Sequence, residues 1–211
     1  MENILNNDNY ICVAVSKTKP VEEINKIYNL GHRDFGENKV QELIKKQKEL
    51  PKDINWHMIG HLQTNKVKRI LPVSYLIHSV DSIKLLNVID KESKKINSIS
   101  NILIQLNISG ETSKYGFLYE EADTLITRDF LKKYNNINLR GFMGMASFTE
   151  DDNIIKKQFD KLNNFFIQKK KLIETVDTLS MGMSNDYKLA LKCGSNMIRI
   201  GSKIFGERNY Q

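Results

Sequence analysis

"ICVAVSKTKPVEEINKIYNLG", residues 11–31, is the stretch on which the fold turns. Residues 11–16 are apolar up to a closing serine and rich in branched side chains, the make-up of a buried strand. Lys17 and Lys19 follow, and Pro20 holds the connection extended. Val21, Ile24, Ile27 and Tyr28 then recur at helical spacing until Gly31 stops the helix. A buried strand that hands over to an amphipathic helix is one β/α unit, and the pattern repeats along the chain. Strands are expected at 11–16, 33–37, 56–60, 75–80, 101–107, 139–146, 178–182 and 197–202. A cover helix is expected in "DNIIKKQFDKLNNFFIQKKKLIE" (152–174), with Ile155, Phe159, Leu162 and Phe166 on one stripe. Eight such units predict an α/β fold, a single (β/α)8 TIM barrel over residues 11–211 behind a short polar N-terminal segment, residues 1–10. A length of 211 residues is near the low end for that fold, so its loops must be short. No linker rich in proline, glycine or serine divides the series, which points to one domain.

Composition narrows the function. No apolar run approaches the roughly 20 residues that span a bilayer, and the opening "MENILNNDNY" lacks the basic-then-apolar order of a secretory signal. Cys12 and Cys193 are too few for a disulfide framework and lack metal-ligand spacing, in keeping with a reducing cytoplasm. The net charge of +7 suggests nucleic acid, yet Arg occurs only six times and the lysines are spread over helical runs such as "ELIKKQKEL" and "FIQKKKLIE". A solvated basic face explains them better than arginine forks and stacked aromatics would. The expectation is therefore a cytoplasmic protein, monomeric, that binds neither membrane nor nucleic acid.

In a (β/α)8 barrel, function gathers at the C-terminal ends of the strands. Lys17 stands at the end of the first. A lysine held half out of water favours its neutral amine, which can attack an aldehyde to form a Schiff base, although a strand-end lysine reads equally as a rim residue whose stem reaches solvent. Lys19 has the same parity but sits past the strand. Arg199 lies inside "MIRIG" and keeps its charge, so it needs an acceptor, either a carboxylate of the fold or a ligand group such as a pyridine nitrogen. "SMGMSND" and "GSKIFG" follow the seventh and eighth strands, where such barrels often hold phosphate, and they supply Ser180, Ser184, Gly201 and Ser202. Serines in that position also serve as ordinary helix caps. An aldehyde-reactive amine, a partner for a ring nitrogen and a phosphate cradle together describe pyridoxal 5′-phosphate.

"AVSKTKP", "FGENKVQE", "WHMIGHLQTNK", "LSMGMSND" and "RIGSKIFGERNY", in that order from residue 14 to residue 210, resemble the pyridoxal phosphate homeostasis proteins. The fold of that family is similar to the barrel domain of alanine racemase, of fold type III. The resemblance implies a protein that holds pyridoxal phosphate as a Schiff base on Lys17, without established catalysis, and keeps the free cofactor low but available. Apo forms of pyridoxal-phosphate enzymes are then the expected acceptors. By that resemblance Arg199 faces the pyridine nitrogen, Ser180, Ser184, Gly201 and Ser202 surround the phosphate, and Asn38 and His61 line the mouth. Family members usually carry an additional helix before the first strand, where this sequence has ten mostly polar residues.

Two rivals share the barrel. A pyridoxal-phosphate racemase needs a second acid or base opposite the lysine, which in alanine racemase comes from an added β domain. This sequence ends at Gln211, directly after the eighth strand, so only Tyr115 or Tyr210 could substitute. A metal hydrolase is suggested by His57 and His61 in "WHMIGH". However, Met58 stands where the helical H-E-x-x-H signature needs Glu, and His32 and His78 look poorly placed to complete a ligand set.

Overall fold

In the computed structural model, which describes residues 2–5, 7–111 and 115–206, eight parallel strands close into a barrel in chain order. They are β1 (Ile11–Val15), β2 (Asp34–Glu37), β3 (Asn55–Met58), β4 (Leu76–Val80), β5 (Ser100–Leu106), β6 (Ile137–Gly144), β7 (Thr178–Ser180) and β8 (Met197–Ile200). The eighth strand returns to the first, with Val13 level with Arg199 and Ala14 level with Ile200. The helices are α1 (Glu2–Leu5), α2 (Val21–Asn29), α3 (Val40–Glu49), α4 (Val67–Ile70), α5 (Ile83–Lys95), α6 (Tyr119–Leu125), α7 (Phe130–Lys133), α8 (Asp152–Lys170), α9 (Tyr187–Lys192) and α10 (Ser202–Phe205).

The barrel agrees with the eight-unit reading, and the differences lie at element ends. β7 stops at Ser180, because Met181 and Gly182 keep contact with β8 only through isolated bonds, Met181 N–H to Met197 O and Arg199 N–H to Gly182 O. The helix expected to reach residue 174 ends at Lys170. α2 ends as expected, with the Gly31 N–H closing on the Tyr28 carbonyl. The N-terminal segment expected to be polar carries α1, whose Leu5 is buried in the core.

Alternation along each strand sorts the side chains into two layers. Cys12, Ala14, Phe35, Trp56, Met58 and Phe142 face outward into the shell beneath the helices. α2 contributes Ile24 and Ile27 to this shell, and α8 contributes Ile155, Phe159, Leu162 and Phe166, the stripe read from the sequence. The Asp151 carboxylate caps α8 by accepting from the Asn153 and Ile154 N–H groups. Phe142 meets Phe165 edge to face at 5.1 Å, and each such ring removed from water contributes about 1.5–3 kcal/mol. Facing inward, Val13, Leu76, Leu103, Met143 and Met197 form a small apolar plug.

The β5–β6 register slips by one residue at Arg140, which bonds both Asp177 oxygens on the outside of the sheet. Gly141 follows with φ 149°, and a Cβ there would stand 1.8 Å from the Thr178 carbonyl oxygen, so only glycine lets β6 and β7 close at the bulge. Among the described residues no helix is long and apolar enough to cross a membrane. Cys12 and Cys193 are both free and buried.

Candidate functional site

Barrels of this kind are normally filled by branched apolar layers. Here much of the interior is polar, with Asp34, His57, His78, Ser180 and Arg199 joined to one another. Arg199 is the deepest charge. It is 4% exposed, and its Nη1 donates to the Ser180 hydroxyl at 2.6 Å and the Ser180 carbonyl at 2.9 Å, while Nη2 donates to the Gly144 carbonyl at 3.1 Å. No carboxylate pairs with it among the described residues, and these three bonds use three of the five N–H groups of a guanidinium. Burial lowers its pKa to about 10, with the more distant Asp186 opposing the shift. A buried cation with a donor to spare and no anion of its own fits a ligand acceptor such as a ring nitrogen.

Lys17 follows β1 by two residues, half-buried in the turn at the C-terminal end of the strand, on the inward parity of Val13 if the strand is continued. Since Val13 is level with Arg199, Lys17 lies four residues higher, about 13 Å along the strand. Two long side chains with an aromatic ring between them span such a gap. Thr18, the next residue, takes φ 66°, a left-handed conformation that is uncommon for a β-branched side chain. Its N–H donates to Glu42 and its hydroxyl to the Lys17 carbonyl, at 2.6 Å each. Lys19 is otherwise engaged, for its ammonium donates to the Phe205 carbonyl at 2.8 Å and pairs with Glu23.

Behind Lys17, on the outer face, lies a buried ionic cluster that sequence reading missed. Lys46 of α3 donates to the Ser16 carbonyl, to Glu37 Oε1 at 2.8 Å and to Glu42 at 2.7 Å, while the Ser16 hydroxyl donates to Glu37. Burial pushes the Glu37 carboxyl up to about 7 despite the opposing pull of Lys46 and Ser16, and its Oε2 has no partner. The cluster fastens the ends of β1 and β2 to α3 and so sets where Lys17 begins. An outward carboxylate at one strand end, a serine at the neighbouring one and a lysine about two turns into the following helix were the available signal.

The remaining expected residues occupy the rim. Asn38 is half-buried after β2, and its backbone touches Gly60, where a Cβ would lie 2.4 Å from the Asn38 carbonyl oxygen. His61 is not inward like His57. Its ring is 39% exposed, stacks on Tyr115 with centroids 4.0 Å apart and approaches Asp81 at 2.7 Å through Nδ1. The two histidines weighed as metal ligands thus diverge, and no cluster able to hold a metal ion is found among the described residues. Ser184 is half-buried in the loop after β7, and Gly201 and Ser202 open α10 at the end of β8. A Cβ at Gly201 would rest 3.5 Å from the Val15 carbonyl oxygen, so this turn lies against the end of β1. The Ser180 hydroxyl, by contrast, is directed into the interior, between Arg199 and His78. Tyr210 lies outside the described residues.

A cleft of about 870 Å³ lies off this axis between the end of β4 and helices α6 and α7. Asp81, Glu120, Glu121 and Asp129 line it against a single lysine, Lys133, a balance that disfavours a phosphate there and leaves the barrel mouth as the better candidate.

A closed parallel barrel with a lysine at the end of its first strand and a buried arginine in its eighth suggests a class, and the chain matches the family described as "Alanine racemase, N-terminal domain" over residues 2–209. Within that class the chain belongs to the pyridoxal phosphate homeostasis protein family. It is 36% identical over 200 residues to the protein of that name from Aquifex aeolicus, covering 94% of this chain and 87% of the relative. It is 40% identical over 197 residues to the one from Helicobacter pylori strain 26695, covering 92% and 86%. Among solved structures, PipY of Synechococcus elongatus PCC7942 with PLP bound superposes with a TM-score of 0.86 at 30% identity, over 95% of this chain and 94% of that one. Alanine racemase from Bartonella henselae, at 15% identity and a TM-score of 0.71 over 93% of this chain and 55% of that one, shares the fold.

Proposed function

We propose that this protein binds pyridoxal 5′-phosphate at the barrel mouth and serves its homeostasis as a carrier that does not turn over substrate. The observation that carries the reading is Arg199, a buried guanidinium with no carboxylate partner among the described residues and N–H groups to spare, on the strand next to the one that Lys17 follows. The names of the relatives and the PLP-bound state of PipY support it. The cofactor brings an aldehyde, a pyridine nitrogen and a phosphate. Lys17 would hold the aldehyde through its amine, with one water released. Arg199 donates to the ring nitrogen, which it keeps unprotonated, because a guanidinium has hydrogens to give and no lone pair to accept one. Ser184, Gly201 and Ser202 surround the phosphate, and Ser180 acts through Arg199. Asn38 and His61 border the opening.

The carrier reading also draws on what faces Lys17. At the rim stand His61, its Nδ1 on Asp81 and its ring stacked on Tyr115, whereas racemisation needs an acid or base held opposite the lysine within reach of the substrate carbon. The reduced, buried cysteines support a cytoplasmic setting, and we read the protein as a monomer that hands its cofactor to apo pyridoxal-phosphate enzymes. The test is a transfer assay. Loaded protein is mixed with an apo-aminotransferase, and recovered transaminase activity is followed alongside alanine racemisation by the loaded protein alone. The reading predicts recovery and no racemisation. Racemisation at ordinary enzyme rates, roughly 1–10³ s⁻¹, would contradict it.

A further inference from the structure

The polar interior has an order that neither cofactor binding nor packing requires. From the floor of the barrel upward, Asp34 Oδ1 lies 3.0 Å from His57 Nε2, and His57 Nδ1 lies 2.8 Å from His78 Nε2. His78 Nδ1 lies 3.1 Å from the Ser180 hydroxyl, which in turn accepts from Arg199 Nη1 at 2.6 Å. Five residues from β2, β3, β4, β7 and β8 thus make one continuous string across the barrel. Asp34 is partly exposed, with 22% of its side chain accessible, whereas His57 and His78 are fully buried.

Both ends of the string dictate the same direction. A guanidinium can only donate, so the Ser180 oxygen accepts from Arg199 and its hydrogen is free to pass to His78 Nδ1. An ionised carboxylate can only accept, so His57 carries its hydrogen on Nε2 toward Asp34 and offers a bare Nδ1 to His78. His78 then carries its own hydrogen on Nε2, and every donor in the string has one acceptor. Burial acts to raise the Asp34 pKa, but the hydrogen bonds from His57 and Asn55 hold it below the usual carboxylate range. Burial first, and then the neighbouring charge of Arg199, keep His78 well below the usual range and therefore neutral. A second proton on His57 would reverse the two histidine bonds and strand the Ser180 hydrogen in a dry interior, which is costly.

The surroundings hold the string without competing for it. Asn55 Nδ2 donates to the same Asp34 oxygen at 3.2 Å, the His32 Nε2 lies 2.8 Å from the Asp34 carbonyl, and the Tyr75 ring meets His57 edge-on at 5.5 Å.

We propose that Asp34, His57, His78 and Ser180 form a one-way hydrogen-bond relay that fixes the orientation of Arg199 toward the bound pyridine ring. This makes them positioning residues, and the inference rests on the reading that Arg199 meets that ring. Asp34 touches nothing at the mouth, yet it sets the polarity of the string from the opposite end of the barrel.

Histidine-labelled protein (¹⁵N) without cofactor, studied by NMR near pH 7, tests this directly. The relay predicts that His57 and His78 are both neutral with their hydrogen on Nε2. Asp34→Asn replaces a pure acceptor with a group that can also donate. It should populate the Nδ1–H form of His78, shift the visible absorption band of bound pyridoxal phosphate and raise its Kd about tenfold, the scale of one buried hydrogen bond. Borohydride should still fix the label at Lys17 in this variant. A ring protonated at Nδ1 in the natural sequence overturns the relay, as does an Asp34→Asn protein whose His78 tautomer and absorption band are unchanged. Should that variant not fold, the natural protein's spectrum alone decides. Loss of the label from Lys17 in the natural sequence would count against the cofactor site instead.

Discussion

Lys46 and Glu37 show how much a single buried contact matters to the position of Lys17. The Glu37 carboxyl is pushed from its ordinary 4.5 up to about 7, because burial outweighs the lysine beside it. A raised folded-state pKa means that the proton is favoured by the fold, so the stability this group contributes is complete below pH 4.5 and is lost as pH rises through 7. Lys46 offsets that loss. Lys46→Met leaves the carboxylate buried beside Glu42 with no cation, and breaking a buried pair in this way costs about 3–5 kcal/mol. Urea unfolding should therefore show the full deficit at pH 8 and a smaller one at pH 5, where Glu37 is protonated. An equal deficit at both pH values would contradict the role assigned to Lys46. At this scale the sequence was informative about Lys17 and Arg199, because an ionisable residue at a strand end or within a strand calls for a partner. It was silent about His57, His78 and Asp34 as a string, because three strands far apart in sequence must close before their inward faces meet.

At the level of elements, strand and helix order was legible because alternation and helical spacing are local properties of the chain, as the buried stripe of α8 illustrates. Strand ends were less so. β7 is three residues long because its pairing with β8 thins out above Ser180, and no local pattern announces where a ladder stops. The bulge at Gly141 depends on the approach of β7, and only the closed barrel reveals it. Gly60 belongs to the same class. It follows β3, and its Cα faces the Asn38 backbone so closely that a Cβ would stand 2.4 Å from the carbonyl oxygen and 2.7 Å from the Cα. Backbone cannot rotate aside as a side chain can, so Gly60→Ala must spread the ends of β2 and β3. A loss of about 1–3 kcal/mol is expected, along with weaker cofactor binding as Asn38 and His61 move apart. Thermal unfolding and a cofactor titration read the two effects. A Gly60→Ala protein with unchanged stability would show that the contact is relieved elsewhere.

For the molecule as a whole, a closed parallel barrel separates two tasks. The shell of Phe35, Trp56, Phe142, Phe159 and their neighbours holds the fold together beneath the helices, which leaves the interior free to carry polar groups that a single-layer core could not accommodate. A net charge of +7 favours an anionic ligand at long range, while the carboxylates of the α6–α7 cleft direct it elsewhere, toward the mouth. In the proposed site an amine above and a guanidinium below would define the axis along which the cofactor lies. The measurement that bears on this most directly is to incubate the protein with pyridoxal phosphate, reduce with borohydride, digest, and locate the modified lysine by peptide mass. The account predicts a single pyridoxyl-phosphate adduct on Lys17, absent from Lys17→Ala. An adduct on Lys19 or Lys66, or one scattered over the surface lysines, would contradict it.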